Sequence, residues 1–124
     1  MSISDYLENK ILDKVFRATD FTVTTAYVSL HTADPGEDGS NEVTGGSYAR
    51  QSASFDVAAG GATANSAQIQ FTSMPACTVS HVGVWDAASG GNFLWGGAVT
   101  GGSKTVNSGD TFQINAGDLD VTLD

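Results

Sequence analysis

The chain has 124 residues, of which 15 are glycine and only 15% are charged. This length fits a single domain, residues 1–124, with one hydrophobic core. The formal net charge of −9 argues against nucleic acid and anionic membranes as partners, because phosphate groups repel so acidic a surface. The same charge keeps a protein soluble where many copies are crowded together.

The only cysteine, Cys77, excludes an internal disulfide. Its apolar neighbours in sequence favour a buried structural thiol over a reactive one. The N-terminal residues lack the basic start and apolar run of a signal peptide, and no window of ~20 apolar residues would span a membrane. We therefore expect a protein that is made and folded in the cytoplasm.

Residues 1–18 carry the hydrophobic pattern of an amphipathic helix. Apolar residues recur there at helical spacing, at Ile3, Leu7, Ile11, Leu12, Val15 and Phe16. Ser2 followed by Asp5 predicts a capping box at the helix start. This stripe has two interpretations, since it either packs on the protein's own sheet or docks on a neighbouring subunit.

The docking interpretation combines the apolar stripe with basic side chains near the end of the helix, where they complement the helix dipole. Most of the five Lys and Arg residues of the chain lie in this helix. On this interpretation, the predicted partner interface consists of Ile3, Leu7, Lys10, Ile11, Lys14 and Arg17.

From Phe21 onward the hydrophobic period changes to two, which predicts strands. In residues 26–31 every second side chain is apolar, and this alternation predicts a half-buried strand. Further strands are predicted near residues 48–55, 69–72, 79–85, 93–95, 105–106, 111–115 and 119–123. About eight short strands after one helix favour an antiparallel β-sandwich or jelly roll over residues 21–124.

The C-terminal residues alternate more regularly than any other segment. We expect Leu119, Val121 and Leu123 to face inward. The side chains between and around them are expected to face outward, at Asp118, Asp120, Thr122 and Asp124. Aspartates along one face suit a solvent-exposed or edge strand, because charge discourages pairing with other chains.

Residues 78–99 contain both tryptophans and predict a hairpin around a glycine-rich turn. Val82, Val84 and Trp85 lead into the turn at residues 86–92, and Phe93 and Trp95 follow it. The tryptophans, together with Tyr27 and Tyr48, have two interpretations. Aromatic residues in a small β-domain usually form the core, but they also stack on sugar rings in β-sandwich lectins.

No pattern of catalytic residues or cofactor ligands stands out in the chain. His31 and His81 are too few for a metal site, and no sequence context marks one serine as an activated nucleophile. The Gly-Gly pairs lack the sequence of a phosphate loop. We therefore expect neither enzymatic activity nor a cofactor.

An acidic loop at residues 34–42 offers oxygen ligands of the kind that calcium prefers, at Asp34, Glu37, Asp38, Asn41 and Glu42. Their spacing does not match an EF-hand. A solvated loop is therefore the favoured interpretation, and calcium binding stays open.

Four segments in order make the chain resemble small tailed-phage virion proteins that are commonly labelled tail fibre proteins. The segments are LENKILDKVFR (7–17), AYVSLHTADPGEDGSNEVTGGSYARQ (26–51), TVSHVGVWDAASGGNFLWGGAVTG (78–101) and KTVNSGDTFQINAGDLDVTLD (104–124). The resemblance implies a non-enzymatic virion component that is present in many copies as a symmetric oligomer. It transfers no catalytic residues to this chain.

Three functions follow from these observations. The chain is also similar to capsid decoration (cement) proteins, which sit on the shell as trimers, and a homotrimer on the major capsid protein is the function we expect first. A tail fibre or tail-tip component that contacts tail proteins is the alternative, because a long fibre usually needs a shaft that this chain lacks. A glycan-binding module is the third.

Overall fold

The computed structural model describes residues 2–123. It is mainly β with one helix near the N-terminus, which confirms the predicted class, and its strand pairs are antiparallel. The elements in chain order are β1 (Ser2–Ile3), α1 (Asp5–Arg17), β2 (Ala26–His31), β3 (Gln51–Ala53), β4 (Ala62–Ala64), β5 (Ile69–Phe71), β6 (Cys77–Val79), β7 (His81–Trp85), β8 (Phe93–Ala98), β9 (Lys104–Val106), β10 (Phe112–Ile114) and β11 (Asp120–Thr122).

Five strands form one sheet in the order β1-β8-β7-β2-β3, and the other six form three two-stranded ribbons, β5–β10, β4–β11 and β6–β9. Strands β7 and β8 are the predicted hairpin. One apolar core joins the sheet to the ribbons. It consists of Val28, Leu30, Val43, Ile69, Phe71, Met74, Val79, Val82, Val84, Leu94, Trp95, Val106, Phe112, Ile114 and Leu119.

The helix begins later than the sequence predicted, because Ser4 and not Ser2 caps it. The Ser4 backbone is extended, and its hydroxyl accepts a hydrogen bond from the Leu7 N–H at 3.2 Å. Ser2 and Ile3 instead form β1, where they pair with Gly96 and Trp95. The prediction of a capping box at Ser2 and of a helix over 1–18 was therefore wrong by one turn at its start.

Strand β2 is buried on both faces over residues 28–31, so the prediction of a half-buried strand was wrong there, whereas Ala26 and Tyr27 are half-buried. Val28 and Leu30 enter the core, while Ser29 and His31, on the opposite face, are also fully buried. That second face is covered by the acidic loop at residues 34–42. Gly39 of this loop packs on the rings of Trp85 and Phe93. The alternating polarity of β2 thus reflects two different buried environments.

The segment before the hairpin bends between two layers. Val79 belongs to β6, which pairs with β9, whereas His81 begins β7 in the sheet. The intervening Ser80 donates its backbone N–H to the carbonyl of His31. Strands β1 and β4 are absent from the prediction, because β1 lies within the segment predicted as helix and β4 contains only alanine and threonine. Strand β6 overlaps the prediction only at Val79.

The C-terminal alternation holds for only part of its length. Leu119 is buried and Val121 half-buried, while Asp118 and Asp120 are exposed as predicted. Leu123 is 53% exposed, contrary to expectation, because the β4–β11 ribbon extends beyond the core at this end. Thr122 is half-buried, and Asp124 lies outside the described residues.

Candidate assembly surface

The first half of α1 is fixed to the sheet. The Ser4 hydroxyl donates a hydrogen bond to the Phe93 carbonyl at 2.6 Å, and its backbone N–H donates to the Leu94 carbonyl at 2.8 Å. Tyr6 and Leu7 pack against the core from the first turns of the helix. These contacts set the direction in which the rest of the helix leaves the body.

The second half of α1 exposes a stripe of large apolar side chains, here called the outer stripe: Leu12, Val15 and Phe16. Their exposed fractions are 53%, 66% and 77%. At 100° per residue, Leu12 and Phe16 lie about 140° and 180° around the helix from the inward-facing Leu7. The apolar residues of the sequence stripe therefore occupy two helix faces, of which only one packs on the protein's own sheet.

The residues predicted for the partner interface fall into three groups. Ile3 lies in β1 and Leu7 packs on the core, so both contact the protein's own body. Lys10 and Ile11 are half-buried at the boundary, and the Lys10 ammonium lies 5.5 Å from the centre of the Tyr6 ring.

The two remaining predicted residues, Lys14 and Arg17, are exposed near the helix end. Lys14 lies 3.2 Å from Asp20, and Arg17 lies 3.4 Å from Asp13. Exposed ion pairs of this kind contribute little to stability and are easily exchanged for other partners. Both cations are therefore available to a partner that approaches the end of the helix.

The apolar character of the outer stripe is evident from the sequence, but the predicted partner interface does not include its residues. The signal was present, because Leu12 and Phe16 are one turn apart and both lie off the line through Leu7 and Ile11. The apolar surface of the helix is therefore wider than the area that a single contact with the sheet covers.

A partly buried ion pair between Arg50 and Glu42 connects three parts of the body. The Arg50 guanidinium makes two hydrogen bonds of 3.0 Å to the Glu42 carboxylate and donates to the carbonyls of Ala87 and Gly90 in the hairpin turn. It also stacks on Trp85, with 3.6 Å from the guanidinium carbon to the ring centre. Tyr48 donates its hydroxyl hydrogen to the same carboxylate at 2.7 Å.

Burial alone would raise the pKa of Glu42. Hydrogen bonds from Arg50 and Tyr48, together with the charge of Arg50, outweigh burial and hold that pKa below its usual value. Burial and the bond to Glu42 raise the pKa of Tyr48, so its hydroxyl stays protonated as a donor. This cluster fixes the loop and the turn against the sheet.

A second buried chain of hydrogen bonds runs through β2. The His31 Nδ1 lies 2.8 Å from the Ser40 carbonyl and its Nε2 lies 2.6 Å from the Ser29 hydroxyl, which accepts from the Trp85 indole N–H at 2.9 Å. The carbonyl requires a proton on Nδ1, so Ser29 donates to Nε2. Burial is the main cause that lowers the pKa of His31, and it favours this neutral form.

The Ser29–His31 contact has the distance of a nucleophile and its base, but its surroundings differ from those of a catalytic site. Both side chains are fully buried, and the second ring nitrogen faces a carbonyl where a catalytic triad places a carboxylate. The pair therefore holds the acidic loop on the sheet.

Each carboxylate of the acidic loop has its own local partner. Asp34 and Asp38 accept backbone N–H bonds from Gly36 and Ser40, and Glu37 accepts the N–H of Asp5 at the start of α1. Hydrogen bonding from the Ser40 hydroxyl also lowers the pKa of Asp38. Among residues 2–123, no group of three His, Cys, Asp or Glu side chains converges as a metal site.

The structure also shows where the two tryptophans, Cys77 and His81 lie. Trp85 and Trp95 are buried, which confirms their interpretation as core residues. Cys77 is half-buried and not fully buried as expected, and burial raises the pKa of its thiol. His81 is half-buried at the start of β7, with Nδ1 2.8 Å from the Ser80 hydroxyl.

The molecule thus combines a β body with a helix that exposes one apolar face. The chain matches the family model described as podophage GP4 fiber I protein gp80 over residues 2–122, and it therefore belongs to this family of phage virion structural proteins. This match confirms the resemblance to phage virion proteins. No curated protein matches the chain. No helix within the described range 2–123 is long and apolar enough to cross a membrane.

Proposed function

We propose that this protein is a non-enzymatic element of a podophage fibre, fastened to its neighbours in the virion through α1. The observation that carries this proposal is the outer stripe, Leu12, Val15 and Phe16, on a helix whose first half is bound to the sheet. Contiguous exposed apolar side chains of this size are typical of interaction sites.

The fixed first half of α1 makes the outer stripe suitable for attachment. The helix is already ordered by the Ser4 contacts with β8, so binding does not require a disordered segment to fold. Burying a large apolar side chain contributes about 1.5–3 kcal/mol. Lys14 and Arg17 lie in the last turn of the same helix, with Lys10 in the turn before, and these cations would contact acidic groups on the partner.

We propose further that the protein acts as a homotrimer whose copies contact other tail proteins. Several weak interfaces together can bind a small domain tightly. Once the first interface has formed, the others form within the same complex, at a high effective concentration. The net charge of −9 keeps the outward surfaces of such crowded copies apart and soluble.

The description of the family supports the fibre assignment. A second candidate, capsid decoration through the major capsid protein, is favoured by one observation: residues 2–123 fold as short strands around one core and include no extended shaft. Such a body would also fit as a cement protein on the shell.

Gold-labelled antibody against this protein separates the two candidates on intact virions. We expect label at the tail, and we expect the same antibody to block adsorption to host cells. Label distributed over the head surface, with adsorption unaffected, would overturn the fibre assignment in favour of capsid decoration.

A further inference from the structure

Strands β9 and β10 border a cleft of about 480 Å³. Its floor includes Val82 and Trp95 from the sheet. Its walls include all three residues of β9, Lys104–Val106, and the consecutive residues 110–115 around β10. No residue of β5 or β6, the strands that pair with β10 and β9, lines the cleft.

This lining shows that the cleft runs along strand edges. Successive side chains of a strand point to opposite faces, so a cleft against one face would be lined by every second residue. Here consecutive residues of both strands line it, on the side away from β5 and β6. Within residues 2–123, β9 and β10 have no strand partner along these edges.

We propose that the cleft binds an extended polypeptide segment of another virion protein, in which apolar residues alternate with lysine or arginine. The segment adds a strand along the edges of β9 and β10. This inference rests on the proposed function, because it names the chemistry of a neighbour in the virion. Main-chain hydrogen bonds along a free strand edge provide affinity in this mode, and side-chain pockets provide specificity.

The floor of the cleft suits apolar side chains. Val82, Trp95, Phe112 and Leu119 line it and belong to the core. The indole N–H of Trp95 is buried and has no hydrogen-bond acceptor among residues 2–123. A buried donor without an acceptor is uncommon in native structures, and a polypeptide in the cleft brings carbonyl oxygens to this region.

The charged side chains at the rim of the cleft favour a basic segment over an acidic one. Asp110, Asp118 and Asp120 line the cleft together with a single cation, Lys104. Asp110 accepts the Asn107 N–H, while Asp118 and Asp120 are exposed beside the opening. Carboxylates so placed attract basic side chains and repel acidic ones.

A second copy of this chain does not supply such a segment. The sequence has only 5 Lys and Arg residues, and nowhere do they alternate with apolar residues. Its C-terminal strand alternates apolar residues with aspartate, which the rim would repel. The occupant is therefore a different protein of the virion.

The test is an NMR titration of the full-length protein with a capped hexapeptide of alternating valine and lysine, at concentrations up to the millimolar range. Matched probes are the valine–glutamate hexapeptide and the neutral sugar maltohexaose. The cleft variant is Asp118→Lys/Asp120→Lys. Its control is Glu8→Lys/Asp20→Lys, which makes the same charge change at exposed positions outside the cleft.

We expect the valine–lysine peptide to shift the amide resonances of residues 104–106 and 111–115 and to protect them from hydrogen exchange. We expect roughly tenfold weaker binding to the cleft variant and unchanged binding to the control. Equal binding of the valine–glutamate peptide, no saturable shift, or occupation of these residues by the sugar alone would overturn the inference. None of these outcomes alters where antibody labels the virion, so the fibre assignment is tested separately.

Discussion

Arg50 and Arg17 occupy two regions of the molecule with opposite character. The Arg50 side chain is 9% exposed and binds Glu42, two turn carbonyls and the Trp85 ring. The Arg17 side chain is 73% exposed and, among residues 2–123, pairs with Asp13 alone, at 3.4 Å. The region around Arg50 is fixed by several contacts at once, whereas the end of α1 around Arg17 makes few contacts.

The residues that stabilise the fold are therefore different from the residues that we propose attach the protein to a partner. In the body, buried polar groups satisfy one another across the loop, the hairpin and β2, so that one arrangement is favoured. At the end of α1, apolar and basic side chains contribute little to the fold and remain available to a partner. Substitutions in the two regions should therefore have different consequences.

The largest effect on stability is expected for Arg50→Met. The substitution leaves Glu42 partly buried without its cation and removes the bonds to Ala87 and Gly90. We expect the free energy of unfolding to fall by about 3 kcal/mol, measured by urea denaturation. The matched control, Arg17→Met, should change it by less than about 0.5 kcal/mol. Similar losses of stability in both variants would contradict the proposed difference between the body and the end of α1.

A smaller loss is expected for Gly83→Ala. A Cβ at this position would lie 2.7 Å from the Ser29 hydroxyl and 2.8 Å from His31 Nε2, within the hydrogen-bond chain that holds the acidic loop. Overpacking of this kind costs about 1–3 kcal/mol, again measurable by urea denaturation.

The control for Gly83 is Gly90→Ala in the hairpin turn, where no heavy atom of residues 2–123, apart from Gly90 and its two chain neighbours, lies within 4 Å of the new Cβ. Its backbone has φ +63°, so the strain of the left-handed conformation alone should cost about 1 kcal/mol. A milder effect at Gly83 than at Gly90 would show that the region around Ser29 and His31 is loosely packed.

Acidification tests the same hydrogen-bond chain with a smaller effect. Burial lowers the pKa of His31 from 6.5, so below pH 6.5 the unfolded chain takes up a proton that the folded protein does not, and unfolding becomes more favourable. Glu42, whose pKa is lowered from 4.5, acts in the same direction below that pH.

We expect the free energy of unfolding to fall by on the order of 1 kcal/mol between pH 7 and pH 5. The variant His31→Gln keeps a polar side chain without a titrating group and should lose less over this range. An equal loss in the variant would assign the pH dependence to other groups.

The sequence predicted the fold class and the hairpin because both rest on local signals. The alternation in β2 and the glycine-rich turn at residues 86–92 are visible without tertiary contacts. The bend at Ser80 and the coverage of Ser29 and His31 by the acidic loop depend on segments distant in sequence. No period within β2 reveals that its polar face is buried.

The candidate assembly surface was predictable in part for a similar reason. The helical period located α1, and the residues around Leu7 were recognised as apolar. Which apolar face meets the sheet depends on the position of Ser4 against Phe93, a contact across 89 residues of sequence. The outer stripe could therefore be identified only after that contact was known.

The central claim is that the outer stripe fastens the protein to the virion. Virions assembled with Val15→Ser/Phe16→Ser are compared with virions carrying Val57→Ser, a matched control because Val57 is 95% exposed outside α1. Quantitative mass spectrometry of purified particles counts the copies, and urea denaturation confirms that stability changes by less than about 0.5 kcal/mol. The account predicts loss of most copies with the stripe variant and full occupancy with Val57→Ser. Full occupancy with the stripe variant would contradict it.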